Sequence, residues 1–413
     1  MFLRKNNEDI IAGLDIGTSK ICAVVAEKRD DGEVKIIGSG VKPSHGIRKG
    51  IVVNVESTIE SIIDAVNDAE KMSKTDINSV YITITGSHIK SSSARGSIII
   101  SNKDNIINDE DIRSVIDKAC NISLPDDMEV IHSLPQEYVV DGQDGIKNPK
   151  GMIGTQLDVD VHLISGSVAS ERNIIKTVTS SGFDVEGVVV QSLASSIAVL
   201  KREERDSGVL LIDMGGGTTD FIVFVDGLVR QSEVFAVGGD HITNDISIGL
   251  KVSIPIAEKI KKKYGCGLTS MVARDEEFFI EGALSTDKIR IPRMKLVEIM
   301  QMRIEEIISI IARHVDNYEG LLNAGIVLTG GCCNIPGFEQ LFKSKMDIPV
   351  RIGKPLDIYG QVEVLDAPEF AASIGLVKFG LLYGGEGSYY SFSPKSIFKK
   401  FSSYFGSIFR KKG

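Results

Sequence analysis

Asp213 is followed, after Met214, by three consecutive glycines, Gly215, Gly216 and Gly217, and then by Thr218 and Thr219. Glycine has no Cβ to hold a chain away from a ligand, so this turn can bring several backbone N–H groups against a phosphate. The aspartate ahead of it suits a phosphate-bound Mg2+, held through the ion's waters, because Mg2+ dehydrates reluctantly and takes few carboxylates. A second set lies near the N-terminus, where Asp15 precedes Gly17, Thr18, Ser19 and Lys20. One Gly-rich turn is weak evidence, since glycines also mark ordinary turns. Two matching turns, with their aspartates 198 positions apart, imply two similar lobes that each lend one turn to a shared nucleotide site, with Asp15 and Asp213 facing the metal.

The elements that must position these residues follow from the flanking patterns. Val209 to Ile212 read as a strand ending at Asp213, and Phe221 to Val225, closed by Asp226-Gly227, read as its returning partner. The unit is therefore a hairpin and not a strand-to-helix phosphate loop. Ile21 to Ala26 return in the same way after the first turn. Gly238 and Gly239 precede a helical stretch whose first N–H groups would extend the cradle. Residues 324–342 read as strand, Gly330-Gly331 turn and helix. Near the start, 33–41 reads as a strand, 44–50 as a loop, 57–73 as a helix with one apolar stripe and 79–85 as a strand.

At 413 residues, 42% hydrophobic and 25% charged, the chain can bury two or more cores. It shows no leader-like apolar segment after Met1 and no run long enough to span a bilayer, which predicts a cytoplasmic protein. The five cysteines have no metal-ligand spacing and are expected as reduced thiols. The net charge is −9, yet residues 395–413 hold six basic residues and no acid, leaving −15 on the rest. An acidic body argues against a nucleic-acid partner.

Strand, strand, strand, helix, strand is the opening order of an actin-like, ribonuclease-H-like lobe, and the chain resembles the actin, sugar-kinase and heat-shock-chaperone superfamily. From about Thr85 it departs from that plan through two strand-like segments, 129–140 and 155–164, and a helix opened by Asn108, an inserted α+β module. The stretches SHGIRKG, ITGSHI and HSLPQEYVVDGQDGIKNPKGM resemble the FtsA family of bacterial cell-division actin homologues, whose inserted subdomain 1C occupies this place. The resemblance covers nearly the whole chain. It implies a two-lobed α/β ATPase fold: 1A from 1–84, 165–205 and 366–383, 1C from 85–164, 2A from 206–245 and 309–365, and 2B from 246–308.

The resemblance also implies roles for particular residues. Gln191, at the head of a helix expected over 191–203, stands where actin has the glutamine that orients the attacking water; capping that helix is the other role open to it. Glu258 and Lys261 match the positions bordering ribose and adenine, although the same helix could simply be a solvated amphipathic one. Gly330 and Gly331 match the adenosine motif, with Cys332 and Cys333 where relatives carry small or polar residues. Arg303 matches the arginine that receives the C-terminal peptide of FtsZ, with MQMR where many relatives have proline before the arginine. Implied too are ATP and Mg2+ as cofactors, slow hydrolysis at most, self-assembly into filaments and later division proteins as partners, met through 1C.

After a Gly/Ser-rich stretch, 384–394, residues Ile397, Phe398, Phe401, Tyr404, Phe405, Ile408 and Phe409 fall on one helical face, with Lys399 and Lys400 off it and Lys411 and Lys412 at the end. An aromatic face opposed by basic charges and serines matches an in-plane anchor on anionic lipid, which would place the protein on the cytoplasmic face of the cell membrane, at the division site. A sugar or acetate-type kinase is the alternative from another class, but it should carry a substrate-facing catalytic Asp between the lobes, and none is identifiable. The pilus-assembly homologue PilM is the nearest rival, distinguished by lacking such a tail.

Overall fold

The computed structural model describes residues 10–28, 34–281 and 288–383. The linker and membrane-helix segments, 384–413, lie outside the described residues.

Two apolar hairpins seed two sheets. In the first, Ile10–Ile16 runs antiparallel to Lys20–Lys28, with Ile16 opposite Ile21, and parallel to Ser79–Ile84 on its other side. Val34–Pro43 and Ile358–Gly360 extend one edge of this six-stranded sheet, and Asp184–Val190 forms the other. In the second, Val209–Met214 runs antiparallel to Thr219–Val225 and parallel to Ile326–Thr329. Leu228–Phe235 and Val350–Ile352 complete its five strands. Every residue of Val209–Met214 is buried, as expected of a strand covered on both faces. The hairpin, the third antiparallel strand and the parallel neighbour recur in both sheets, so the sequence repeat is a repeat of architecture.

Helices cover the sheets where sequence permits close approach. Val55–Ser73 is capped by Asn54, which accepts from Ser57 N–H, and buries Ile62, Ala65, Val66 and Ala69. Its backbone lies so close to Val34–Pro43 that a Cβ on Gly40 would collide with the Ala65 carbonyl. The helix expected over 191–203 is interrupted: Gln191–Val199 ends where Leu200 turns extended, and a second short helix spans Arg202–Ser207. Arg351 accounts for the break, giving Nη2 to the Val199 carbonyl at 2.9 Å and to Glu204 Oε2 at 2.6 Å, while Glu204 also accepts from Lys201 N–H at 2.8 Å. The loop expected at 44–50 contributes to a two-stranded ribbon, Ile47–Arg48 with Ile51–Val52.

The inserted module is a four-stranded sheet in the order Lys90–Ile99, Gln156–Ser167, Met128–Val140, Gln143–Ile146, packed on the helix Asp109–Cys120. It has its own core, including Ile112, Val115, Ile116, Leu157, Val159 and Val161. Its last strand lies in a stretch that the sequence presents as a mere separator. The signal is Asp141-Gly142, both at positive φ, the two-residue turn that joins antiparallel strands. In the second lobe, Gly239–Leu250, Ile254–Tyr264 and Arg293–Val315 pack around the hairpin of Glu277–Glu281 and Lys288–Pro292. All five cysteines are free thiols, as expected.

Candidate functional site

A cleft of about 460 Å3 opens between the two hairpin turns. Asp15, Gly17, Thr18, Ser19 and Lys20 line it from the first lobe, and Asp213, Gly215, Gly216, Gly217 and Thr218 from the second. Gln191, Gly239, Glu258, Lys261, Gly330 and Gly331 complete the set of expected residues at the cleft wall. Thr219 and Gly238 stand behind it. The Thr219 hydroxyl donates to the Val237 carbonyl at 2.7 Å, and Gly238 N–H to His241 Nδ1 at 3.2 Å. The helix start at Gly239 does not present free N–H groups as expected: Gly239 N–H bonds the Gly215 carbonyl at 3.0 Å and Asp240 N–H the Gly216 carbonyl at 2.8 Å. Those donors lock the helix Gly239–Leu250 onto the glycine turn.

The glycines also have a purpose that the sequence does not reveal. A Cβ on Gly216 would fall on Ser19 Oγ, and one on Gly217 on Thr18 Oγ1, so the missing side chains let the two turns touch. Of the three consecutive glycines, only Gly215 is open enough for an ordinary Cβ contact. Gly330, at φ 90°, passes against Asp213 Oδ1.

Each aspartate is held by hydroxyls. Asp15 accepts from Thr83 Oγ1 at 2.9 Å and Ser373 Oγ at 3.3 Å. Asp213 Oδ2 accepts from Gln191 Nε2 at 3.2 Å and Ser195 Oγ at 2.6 Å. Gln191 therefore reaches the carboxylate instead of capping its own helix, whose N-cap is Val190. Lys20 donates to the Glu369 carbonyl and lies 4.8 Å from the centre of the Phe370 ring. Lys261 bonds Glu258 at 2.6 Å, Thr243 Oγ1 at 2.8 Å and the Gly239 carbonyl at 3.0 Å, which fixes both expected base-side residues.

Sequence reading missed Thr85 and Asp220. Asp220 lies opposite Asp213 in the hairpin register, and Thr85 Oγ1, from the first lobe, donates to Asp220 Oδ1 at 2.6 Å. Asp220 Oδ2 is buried without a partner. The signal was present, because an aspartate at the head of an apolar strand, TTDFIVFV, has to be explained.

The electrostatics follow from this burial. Desolvation raises Asp15 above the ordinary carboxylate range against the pull of Lys20. It raises Asp213 as well, with the Asp15 charge adding to the effect and the Ser195 and Gln191 hydrogen bonds opposing it. Asp220 is pushed up to about 8, by burial first and by Asp213 second. Asp15 and Asp213, the two of these that line the cleft, fit a divalent cation that neutralises them. Among the described residues no three His, Cys, Asp or Glu side chains form a ready metal cage, so such an ion would take waters and ligand phosphates as its other partners.

A family model described as Cell division protein FtsA matches residues 210–375, and a model of the SHS2 domain inserted in FtsA matches residues 86–165. Cell division protein FtsA of Pseudomonas aeruginosa is 36% identical over 389 residues, covering 94% of this chain and 93% of its own length. That of Borreliella burgdorferi is 40% identical over 380 residues, covering 90% and 91%. The chain belongs to the FtsA family. Its members among these relatives are named as cell-division proteins, and neither the kinase nor the PilM alternative is favoured.

The chain shares its actin-like ATPase fold with the PilM-PilN type IV pilus biogenesis complex, at a TM-score of 0.65 and 16% identity, covering 90% of this chain and 98% of that one. MreB5 of Spiroplasma citri bound to ADP gives 0.55 and 13%, covering 91% and 97%. At those identities the likeness concerns the fold alone. Among the described residues no helix is long and apolar enough to cross a membrane.

Proposed function

We propose that this FtsA-family chain binds ATP with Mg2+ between its two hairpins, polymerises on the inner face of the cytoplasmic membrane, and anchors FtsZ filaments there during assembly of the division septum. The observation that carries the nucleotide reading is the meeting of two Gly-rich turns over Asp15 and Asp213 in one cleft. Glycine turns bring backbone N–H groups to phosphate, and the buried carboxylates favour a cation that the phosphates would carry in. Gln191, bonded to Asp213, is suited to orient an attacking water in a slow hydrolysis.

The FtsZ reading rests on Arg303, half-buried at the junction of Gly239–Leu250 and Arg293–Val315, where an acidic peptide could take over its ion pairs. The membrane reading rests on the amphipathic pattern of 395–413. Six basic residues contribute about 1 kcal/mol each near an anionic leaflet. Ordering a short helix that is marginal in water opposes this, so one tail binds modestly and a filament of many tails binds firmly. The inserted module is the surface offered to later division proteins. Negative-stain microscopy of the full chain on an anionic lipid monolayer tests the reading as a whole: filaments are expected with ATP, and bare monolayers with and without ATP would contradict it.

A further inference from the structure

A buried side chain of the inserted module bonds the strand that leads into the cleft. Asp184–Val190 is an edge strand of the first sheet, paired with Ser79–Ile84 on one side only. Its other side faces the inserted strand Met128–Val140, and there the Val190 N–H donates to His132 Nε2 at 3.1 Å. His132 is 2% exposed. A buried backbone donor needs an acceptor, and a neutral histidine with its proton on Nδ1 supplies one.

Val190 is the N-cap of Gln191–Val199 and lacks a side-chain cap bond of its own. That helix gives two donors to one atom, Gln191 Nε2 and Ser195 Oγ, both on Asp213 Oδ2. The position of the helix start thus sets both hydrogen bonds on the carboxylate that would face the metal.

We propose that His132 is a positioning residue through which the inserted module holds Gln191, and with it Asp213, in the geometry that binds Mg2+ with nucleotide. This rests on the nucleotide reading above. A partner that shifts the inserted strand would then alter the cleft without touching it.

The test compares His132→Gln, whose Oε1 can stand where Nε2 stood, with His132→Asn, whose side chain is too short to reach Val190. Calorimetry on the full chain measures ATP affinity with and without Mg2+, so the gain due to Mg2+ is read separately from nucleotide binding itself. The Asn variant should lose about tenfold of that gain, the size of one buried hydrogen bond, with Mg2+-free affinity unchanged and the Gln variant close to wild type. Equal gains in the wild type and both variants would overturn the proposal, as would equal losses with and without Mg2+, which mark a purely structural role. In the wild type, Mg-ATP should slow exchange of the Val190 amide more than Mg2+-free ATP does; identical exchange overturns the proposal even where the Asn variant does not fold. A wild-type chain with no Mg2+-dependent gain overturns the nucleotide reading and this inference together, whereas a normal gain insensitive to residue 132 overturns only the inference.

Discussion

Arg303 grips Asp245 with two nitrogens, Nε to Oδ2 at 2.5 Å and Nη2 to Oδ1 at 3.1 Å, and gives Nη1 to Glu306 at 2.6 Å. An incoming acidic peptide must therefore compete with two carboxylates already in place. Arg303→Glu should weaken binding of an FtsZ C-terminal peptide at least tenfold, because charge reversal adds repulsion to the lost pairing. Asp245→Asn should strengthen it, since the guanidinium is released. Fluorescence anisotropy that finds all three affinities equal would move the docking site elsewhere.

The Asp220 carboxyl gives stability a pH dependence of definite sign. It is pushed up to about 8 in the folded chain, against about 4 in an unfolded one. Below the unfolded value both states hold the proton and stability is intact. As pH rises through the interval between the two values only the unfolded state ionises, so stability falls, and the loss is complete above the folded value. Asp15 and Asp213 are raised too and act in the same direction. Asp220→Asn cannot ionise and keeps an oxygen for Thr85, so its melting temperature relative to wild type should climb between about pH 5 and about pH 8. A difference that stays constant with pH would contradict this.

Contact between the hairpins makes Gly216 sensitive to a single methyl group. Gly216→Ala puts Cβ onto Ser19 Oγ, and overpacking of this kind costs about 1 to 3 kcal/mol. Ser19→Gly in the same chain should recover part of the loss. Thermal melts in which Gly216→Ala equals wild type would show that the two turns do not touch.

Membrane attachment should require both faces of residues 395–413. Phe401→Glu should abolish flotation with neutral and anionic vesicles alike, because it sets a charge in the apolar stripe. Replacing Lys399, Lys400, Lys411 and Lys412 with Gln should remove about 4 kcal/mol of attraction, and with it the preference for anionic lipid. A chain truncated after Gly385 that floats as well as the full chain would refute the anchor.

Much of this site was legible because Gly-rich turns, aspartates and apolar strands are local signals. Asp15 and Asp213 could be paired from their flanking residues alone, and the strand on either side of each turn followed from its apolar run. What escaped depends on partners distant in sequence. Thr85 meets Asp220 across 135 positions, and Arg351 ends the helix at Val199 from 152 positions away; no periodicity encodes either. The second purpose of Gly216 escaped for the same reason: the obstacle its Cβ would meet, Ser19, belongs to the other lobe. The first N–H groups of the helix after Gly238 looked free because the carbonyls that occupy those of Gly239 and Asp240 come from Gly215 and Gly216 in the turn.

On the proposed function, the two hairpins hold nucleotide through a metal placed at Asp213. Asp213→Asn keeps an oxygen for Ser195 and Gln191 and removes only the charge. Calorimetry with ATP, in the presence and absence of Mg2+, should find Mg2+-free affinity near wild type and the Mg2+-dependent gain reduced by about tenfold or more, because the phosphate-bound cation loses a carboxylate partner. An unchanged Mg2+-dependent affinity in Asp213→Asn would contradict the account.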